Sequence, residues 1–444
     1  MKDECGVFGI CSDKEERIGN IVYFGIYALQ HRGQESAGIA VSDKNNKISF
    51  YKNTGLVSEV FNQEILSKLQ GISAIGHVRY STSGGKFTID NAQPLISSFK
   101  YGMVALAHNG NITNAAKLKK QLENSGAIFR SDSDSEVLLH LIAKNKSDDF
   151  IEALKQEAHK LEGAFSIIIL YNNKIIAFKD KNSIRPLCIG KLGNRYAISS
   201  ESCAFDMIDA VFIREINEGE IIVIEKDKII SEIYIKKSER KFCAFEHIYF
   251  SRPDSVFFEK SVHLSRKEMG RKLAEHFPVN ADVVIPVPDS GISCALGYSE
   301  YSKIPYDKGI IRNHYIGRTF IQPIQELRNI KVKMKLNPIF HVINGKKIVL
   351  VDDSIVRGTT SKKLVSLLKN AGAAEVHLRI SCPMIVKPCK LGIDTPSTEE
   401  LIACRMNKNQ IRDYLKADSI EFLELPYLKQ CLGQKGYCYK CFTP

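Results

Sequence analysis

The chain has 444 residues, 44 % of them hydrophobic and 25 % charged, and 62 basic against 50 acidic side chains leave a net charge of +12. That length holds two or three domains with cores of their own; no apolar run reaches a membrane span, and Met1-Lys2-Asp3-Glu4 carries acids where a signal peptide needs basic, then apolar, residues. We therefore expect a soluble, cytoplasmic protein with anionic partners, although the basic residues are dispersed and lack the aromatic interleave of an RNA-binding module.

From residue 5 to about residue 235, short β-rich runs fall at residues 5–11, 73–79, 104–108, 166–170 and 220–224. Turn clusters and helical stretches over 115–123 and 136–144 separate them. Strands grouped this way predict an α+β domain of layered antiparallel sheets. Residues 238–258 read as a linker. From about residue 264 strands alternate with helices: 282–287, a helix from near Ser293, 347–351, a helix over 361–370, and 376–381. That alternation predicts an α/β domain with a parallel sheet.

Cys5 opens the first run and is followed by Gly6-Val-Phe-Gly9. Removal of residues 1–4 gives its thiol an adjacent α-amino group of pKa about 8, a ready general base. Position alone favours a structural cysteine. Four further strings follow: Gln30-His-Arg-Gly-Gln34, Gly76-His-Val-Arg-Tyr80, Ala107-His-Asn-Gly-Asn111 and Ser131-Asp-Ser-Asp-Ser-Glu136. In this order and spacing they resemble the class II glutamine amidotransferases, which have an N-terminal-nucleophile fold. The resemblance implies that Cys5 is the nucleophile. Arg79 then pairs with the glutamine α-carboxylate and Asp134 with its α-ammonium, and Asn109 with the Gly110 N–H forms an oxyanion hole. Gly33 lets the backbone close over the substrate. A buried structural ion pair is the alternative for Arg79 and Asp134.

Ile348-Val-Leu-Val-Asp-Asp-Ser-Ile-Val-Arg-Gly-Thr-Thr360 is the most informative stretch. A buried strand ends in two carboxylates, and a small-residue loop rich in hydroxyls leads into a helix. The loop's N–H groups and the helix N-terminus suit an anion, while Asp352 and Asp353 suit hydroxyls or a metal. A ribose 5-phosphate offers both. An ordinary capped strand–turn–helix is the plainer reading. The full string resembles the phosphoribosyl-diphosphate signature of type I phosphoribosyltransferases. By that resemblance Asp352 and Asp353 hold the ribose hydroxyls and Mg²⁺, and Ser354, Ile355, Val356, Arg357, Gly358, Thr359 and Thr360 cradle the 5-phosphate. Pro288-Asp289-Ser290-Gly291 looks like the pyrophosphate loop, with Asp289 at the substrate and Ser290 near the metal. Mg²⁺ is the ion that hard oxygen ligands and phosphates select. Residues 311–323, rich in Arg and hydroxyls, suit a mobile lid. They resemble the catalytic loop of the amidotransferases, with Arg312 where that family has Lys.

Twelve cysteines in a cytosolic chain do not suggest a disulfide framework; Cys188, Cys203, Cys294, Cys382 and Cys404 read as small buried hydrophobes. Cys438-Tyr-Lys-Cys441 has metal-ligand spacing, which alone fits half a zinc site, a redox pair or neither.

From Cys5 to Cys441 the chain is similar to the glutamine phosphoribosylpyrophosphate amidotransferase family. Ile248-Tyr-Phe-Ser-Arg-Pro-Asp254 and Gly317-Arg-Thr-Phe-Ile-Gln-Pro323 resemble its Bacillus-type branch. In that branch four cysteines bind a [4Fe–4S] cluster, and the matching positions are Cys243, Cys389, Cys438 and Cys441. Tetrathiolate zinc is the alternative. The resemblance implies a propeptide over 1–4, a glutamine domain over 5–237, a linker over 238–260 and a phosphoribosyltransferase domain over 261–444 ending in a cluster-binding segment. It implies glutamine and phosphoribosyl diphosphate as substrates, purine nucleotides as feedback inhibitors and a homotetramer, with no nucleic-acid or membrane partner. A sugar-phosphate amidotransferase shares the first half but lacks the 351–360 string. A phosphoribosyl-diphosphate-sensing regulator shares the second but does not need Cys5, Arg79, Asn109 and Asp134.

Overall fold

Strands of the first half such as Ser36–Ser42 and Gly163–Tyr171 are buried along most of their length, because their two sheets press one face of each together and carry helices on the other. The computed structural model describes residues 5–80, 88–313, 336–393 and 397–443; the propeptide 1–4 and positions 314–323 of the lid candidate lie outside them. Among these residues one antiparallel sheet has seven strands, with Gly6–Glu16 and Gly71–Arg79 side by side near its middle. The facing sheet has six, including the paired Gly102–Ile112 and Gly163–Tyr171. Val7, Ile75, Ala107, Ile168 and Ile198 fill the space between them. Side chains of opposite parity point outward. Phe8, Val22 and Ile26 thus seat the helix Ile18–Ala28 on the first sheet, and Val137, Leu138 and Ile142 seat Glu136–Lys144 on the second.

The second half is built on a four-stranded parallel sheet among the described residues: Val283–Pro286, Lys347–Asp352, Glu375–Ile380 and Ser419–Phe422. The first two strands end level, Pro286 opposite Val351, so the loops that follow emerge side by side at the carboxyl ends. That is where open α/β sheets bind ligands.

The middle of the segment between the halves, residues 242–251, is packed rather than exposed. Phe242, Ala244, Phe245 and Ile248 are wholly buried, and Cys243 and Phe245 belong to the same core as the parallel sheet. Cys404 departs from the buried-hydrophobe reading: it is exposed, on the short helix Ile402–Arg405. Cys188, Cys203, Cys294 and Cys382 are buried. Among the described residues no helix is long and apolar enough to cross a membrane.

Candidate active sites

Cys5 stands at the head of the strand Gly6–Glu16, and its thiol donates to the Tyr80 carbonyl at 3.4 Å. Burial pushes the thiol up to about 11, against the Tyr80 bond and the Arg79 charge, while Asp134 and Glu35 add to the rise. Those influences place Cys5, Arg79 and Asp134 in one electrostatic neighbourhood. Arg79 lies 3.9 Å from Glu35, a carboxylate that the motif reading passed over. A Cβ at Gly33 would lie 2.7 Å from Arg79 backbone atoms, so this glycine fits the turn against the Arg79 strand.

Asp134 is fixed from three sides. It accepts from the Ile112 N–H at 2.7 Å and from Ser135 Oγ at 3.2 Å, and His108 Nδ1 lies 3.5 Å away. Burial would raise its carboxyl, but His108 and these hydrogen bonds outweigh it and hold the group below the usual carboxylate range. Asn109 is wholly buried on the neighbouring strand, and neither its Oδ1 nor its Nδ2 has a partner. Such a group is costly unless something else meets it. Gly110 follows with φ +140°, and a Cβ there would lie 2.0 Å from the Ala164 carbonyl. Only glycine permits that strand to turn its N–H at this point.

In the second half, Asp352 and Asp353 close the strand Lys347–Asp352, both buried. Burial and the Asp353 charge push the Asp352 carboxyl well above its usual range. An arriving cation or hydroxyl donor relieves both effects. Ser354 Oγ donates to the Asp353 carboxylate. The loop through Ile355, Val356, Arg357 and Gly358 then enters the helix Thr359–Asn370, whose first turn carries Thr359 and Thr360. Beside it, Asp289 and Ser290 occupy the loop after Val283–Pro286, and Arg312 reaches back to Asp289 at 2.8 Å. Arg357 is held by Glu400 at 3.1 and 3.2 Å.

Residues 77–207 match the model of the glutamine amidotransferase domain, and residues 262–400 that of the phosphoribosyl transferase domain. Over its whole length the chain is 47 % identical to the amidophosphoribosyltransferase of Bacillus subtilis, covering 94 % of that protein. It is 46 % identical to that of Methanocaldococcus jannaschii, over 99 % of this chain and 96 % of the other. The chain belongs to the amidophosphoribosyltransferase family. A solved structure described as glutamine phosphoribosylpyrophosphate amidotransferase from B. subtilis complexed with ADP and GMP superposes with a TM-score of 0.93 at 46 % identity, covering 99 % of this chain and 96 % of that one. As in other amidophosphoribosyltransferases, a glutamine domain of antiparallel sheets precedes a phosphoribosyltransferase domain with a parallel sheet.

Within this amidophosphoribosyltransferase four of the cysteines outside the two sites, Cys243, Cys389, Cys438 and Cys441, gather in one region. Cys243 pairs in parallel register with Cys438. Burial raises the Cys438 and Cys441 thiols, and Cys389 raises both further, so the three lie within electrostatic reach of one another. Among the described residues no three His, Cys, Asp or Glu side chains close on a point for a single ion. The chain just after Cys389 rests on the glutamine domain: Asn111 Nδ2 donates to the Lys390 carbonyl at 3.0 Å and Arg185 Nη2 to the Leu391 carbonyl at 2.5 Å.

Proposed function

We propose that this chain opens purine synthesis as its family does, releasing ammonia from glutamine at Cys5 and transferring it to C1 of phosphoribosyl diphosphate. The Asn109 carboxamide carries the reading: wholly buried, unpartnered, on a strand that packs across the sandwich from the Cys5 strand. A developing oxyanion is the partner it lacks.

With residues 1–4 removed, the Cys5 α-amino group accepts the proton of its own thiol. The thiolate attacks the side-chain amide of glutamine, held by Arg79 at the α-carboxylate and Asp134 at the α-ammonium. Asn109 Nδ2 and the Gly110 N–H bind the oxyanion. Ammonia leaves, protonated by the Cys5 amine, and water then cleaves the thioester to glutamate. The ammonia passes inside the protein to the second site and attacks C1, where pyrophosphate departs. Asp352 and Asp353 accept from the ribose hydroxyls, residues 354–360 hold the 5-phosphate, and Asp289, Ser290 and Arg312 face the pyrophosphate. Asp352, Asp353 and Ser290 fit Mg²⁺, which when bound offsets the charge of the leaving pyrophosphate. Cys243, Cys389, Cys438 and Cys441 fit a [4Fe–4S] cluster that staples the C-terminus to the interdomain segment. A relative described as complexed with ADP and GMP supports purine nucleotides as ligands; feedback inhibition is the role this reading gives them, and a cytoplasmic homotetramer completes it.

A steady-state assay of glutamate release and pyrophosphate formation tests it. Both should appear together in equal amounts when glutamine and phosphoribosyl diphosphate are present. Glutamate without pyrophosphate, or neither product, overturns the assignment.

A further inference from the structure

The strand that carries Asn109 loses a neighbour just short of that residue. Leu95–Phe99 pairs with Gly102–Ile112 from Phe99 opposite Gly102 to Leu95 opposite Leu106, where the pairing stops among the described residues. The other edge stays paired with Gly163–Tyr171 as far as Ile112. In an antiparallel ladder the backbone groups of alternate residues face the same edge. Those of His108, Gly110 and Ile112 therefore face the side that Leu95–Phe99 has left. Buried backbone groups on such an edge need partners from elsewhere.

Side chains supply them. The His108 N–H donates to Gln93 Oε1 at 2.7 Å, and the His108 carbonyl accepts from His77 Nε2 at 3.0 Å. The Ile112 N–H donates to Asp134. The alternation sets the Gly110 N–H on this edge between those partners, where the oxyanion is expected. His77 and Gln93 thus take the place of a strand immediately beside the oxyanion site.

His77 reaches the edge from the opposite sheet. It alternates with Ile75, which fills the space between the sheets, so its ring points into that space too. Val7 is its register partner, and two residues farther along the same pair of strands stand Cys5 and Arg79. The ring is wholly buried, and among the described residues its Nδ1 has no partner. A carbonyl only accepts, so the ring proton sits on Nε2. Burial, opposed by the His108 bond and helped by the Arg79 charge, pushes its pKa down to about 3, which keeps the ring neutral. Gln93 is buried as well.

An orphaned buried nitrogen is costly, and an apolar side chain in this layer would avoid it. Building on the function proposed above, we propose that His77 and Gln93 are positioning residues for glutamine hydrolysis. They fix the backbone of residue 108 and so aim Asn109 Nδ2 and the Gly110 N–H at the oxyanion. One strand then sets both Arg79, which grips the glutamine carboxylate, and His77, which aims the oxyanion hole. A misplacement of about 1 Å at such a site is worth up to about 10²-fold in rate.

The test measures kcat and KM for glutamine on the full-length enzyme, with ammonia-dependent synthesis on the same preparation. In His77→Leu, kcat should fall about tenfold or more with KM within about threefold, and ammonia-dependent synthesis should be unchanged. His77→Gln, whose amide brings a donor to the place of Nε2, should recover most of the loss. Gln93→Met removes the acceptor of the His108 N–H and should show the same split, so it serves if His77→Leu does not fold. Added to Asn109→Ala, either substitution should cost about threefold or less, because the main group it aims is gone; independent effects would multiply. Wild-type kcat in both single variants would overturn the proposal, as would a change in KM alone or an undiminished loss in the Asn109→Ala background. Equal losses with glutamine and with ammonia would assign both residues to the fold and overturn it likewise. A wild-type enzyme with no glutamine-dependent synthesis would instead remove the function on which the proposal rests.

Discussion

Cys243 and Cys438 are register partners in a two-residue parallel pairing that brings the C-terminal end of the chain back onto the segment between its halves. Cys389 and Cys441 lie beside them, and the chain after Cys389 touches the strand Gly102–Ile112 that carries Asn109. Anaerobically purified protein should be brown and hold about four irons per chain. Cys389→Ser should lose the iron and unfold at lower denaturant concentration, since a cluster ligand holds two distant segments together. Zinc in place of iron, or iron kept by the variant, would count against the cluster.

The two domains should fail separately. Cys5→Ala removes the nucleophile, so glutamine-dependent synthesis should vanish while ammonia at high concentration still supports it. Replacing Asp352 and Asp353 with Ala should abolish both. Asn109→Ala is more graded: losing one oxyanion donor costs about 10²–10³ in kcat, with ammonia-dependent synthesis intact. A Cys5→Ala protein that still uses glutamine would remove Cys5 from the chemistry.

Burial holds the Cys5 thiol up to about 11. At pH 8 such a thiol is ionised in roughly one molecule in a thousand, so it needs its own α-amine to react. In protein retaining residues 1–4, iodoacetamide labelling of Cys5 should be slow at pH 8 and rise about tenfold per pH unit toward 10. The exposed Cys404 is the internal reference, read by peptide mass spectrometry. Removal of residues 1–4 should make glutamine turnover level off above about pH 8, where the amine is unprotonated. Rapid labelling of uncleaved Cys5 at pH 7 would show the thiol to be activated by other means.

The helices Ala115–Glu123 and Glu136–Lys144 were legible because local apolar periodicity and turn residues specify them. The strand Lys347–Asp352 and its acidic end were equally plain. The buried ion pair of Arg32 and Glu246, 2.9 Å apart, was not. The two lie 214 residues apart in sequence, and no local pattern distinguishes a salt-bridged glutamate from a solvated one. Gln30-His-Arg-Gly-Gln34 drew attention to Gly33, while Arg32 beside it donates to the Cys5 carbonyl. The burial of residues 242–250 was missed for a related reason: its apolar side chains alternate with Cys, Glu and His, whose partners are supplied by both domains.

Glu136 gives a prediction about stability. It accepts from the Arg130 N–H at 2.9 Å, the Ser131 N–H at 2.8 Å and Ser131 Oγ at 2.6 Å, so it closes the turn that presents Asp134. Burial would raise its carboxyl, but His140, Ser131 and the two backbone N–H groups bring it down to about 2. A carboxyl depressed in the folded state stabilises only where it is ionised. The contribution is complete above the unfolded value of about 4.5 and disappears as pH falls through about 2. Glu136→Gln should therefore destabilise the glutamine domain by about 1–3 kcal/mol at pH 7, the usual worth of hydrogen bonds to a charged group. Urea unfolding of both proteins from pH 7 down to 3 should show the gap holding to about pH 5 and then narrowing. Because the turn also places Asp134, KM for glutamine should rise in the variant at pH 7 while ammonia-dependent synthesis stays unchanged. A stability gap that is flat with pH would mean that shape, not charge, makes Glu136 necessary.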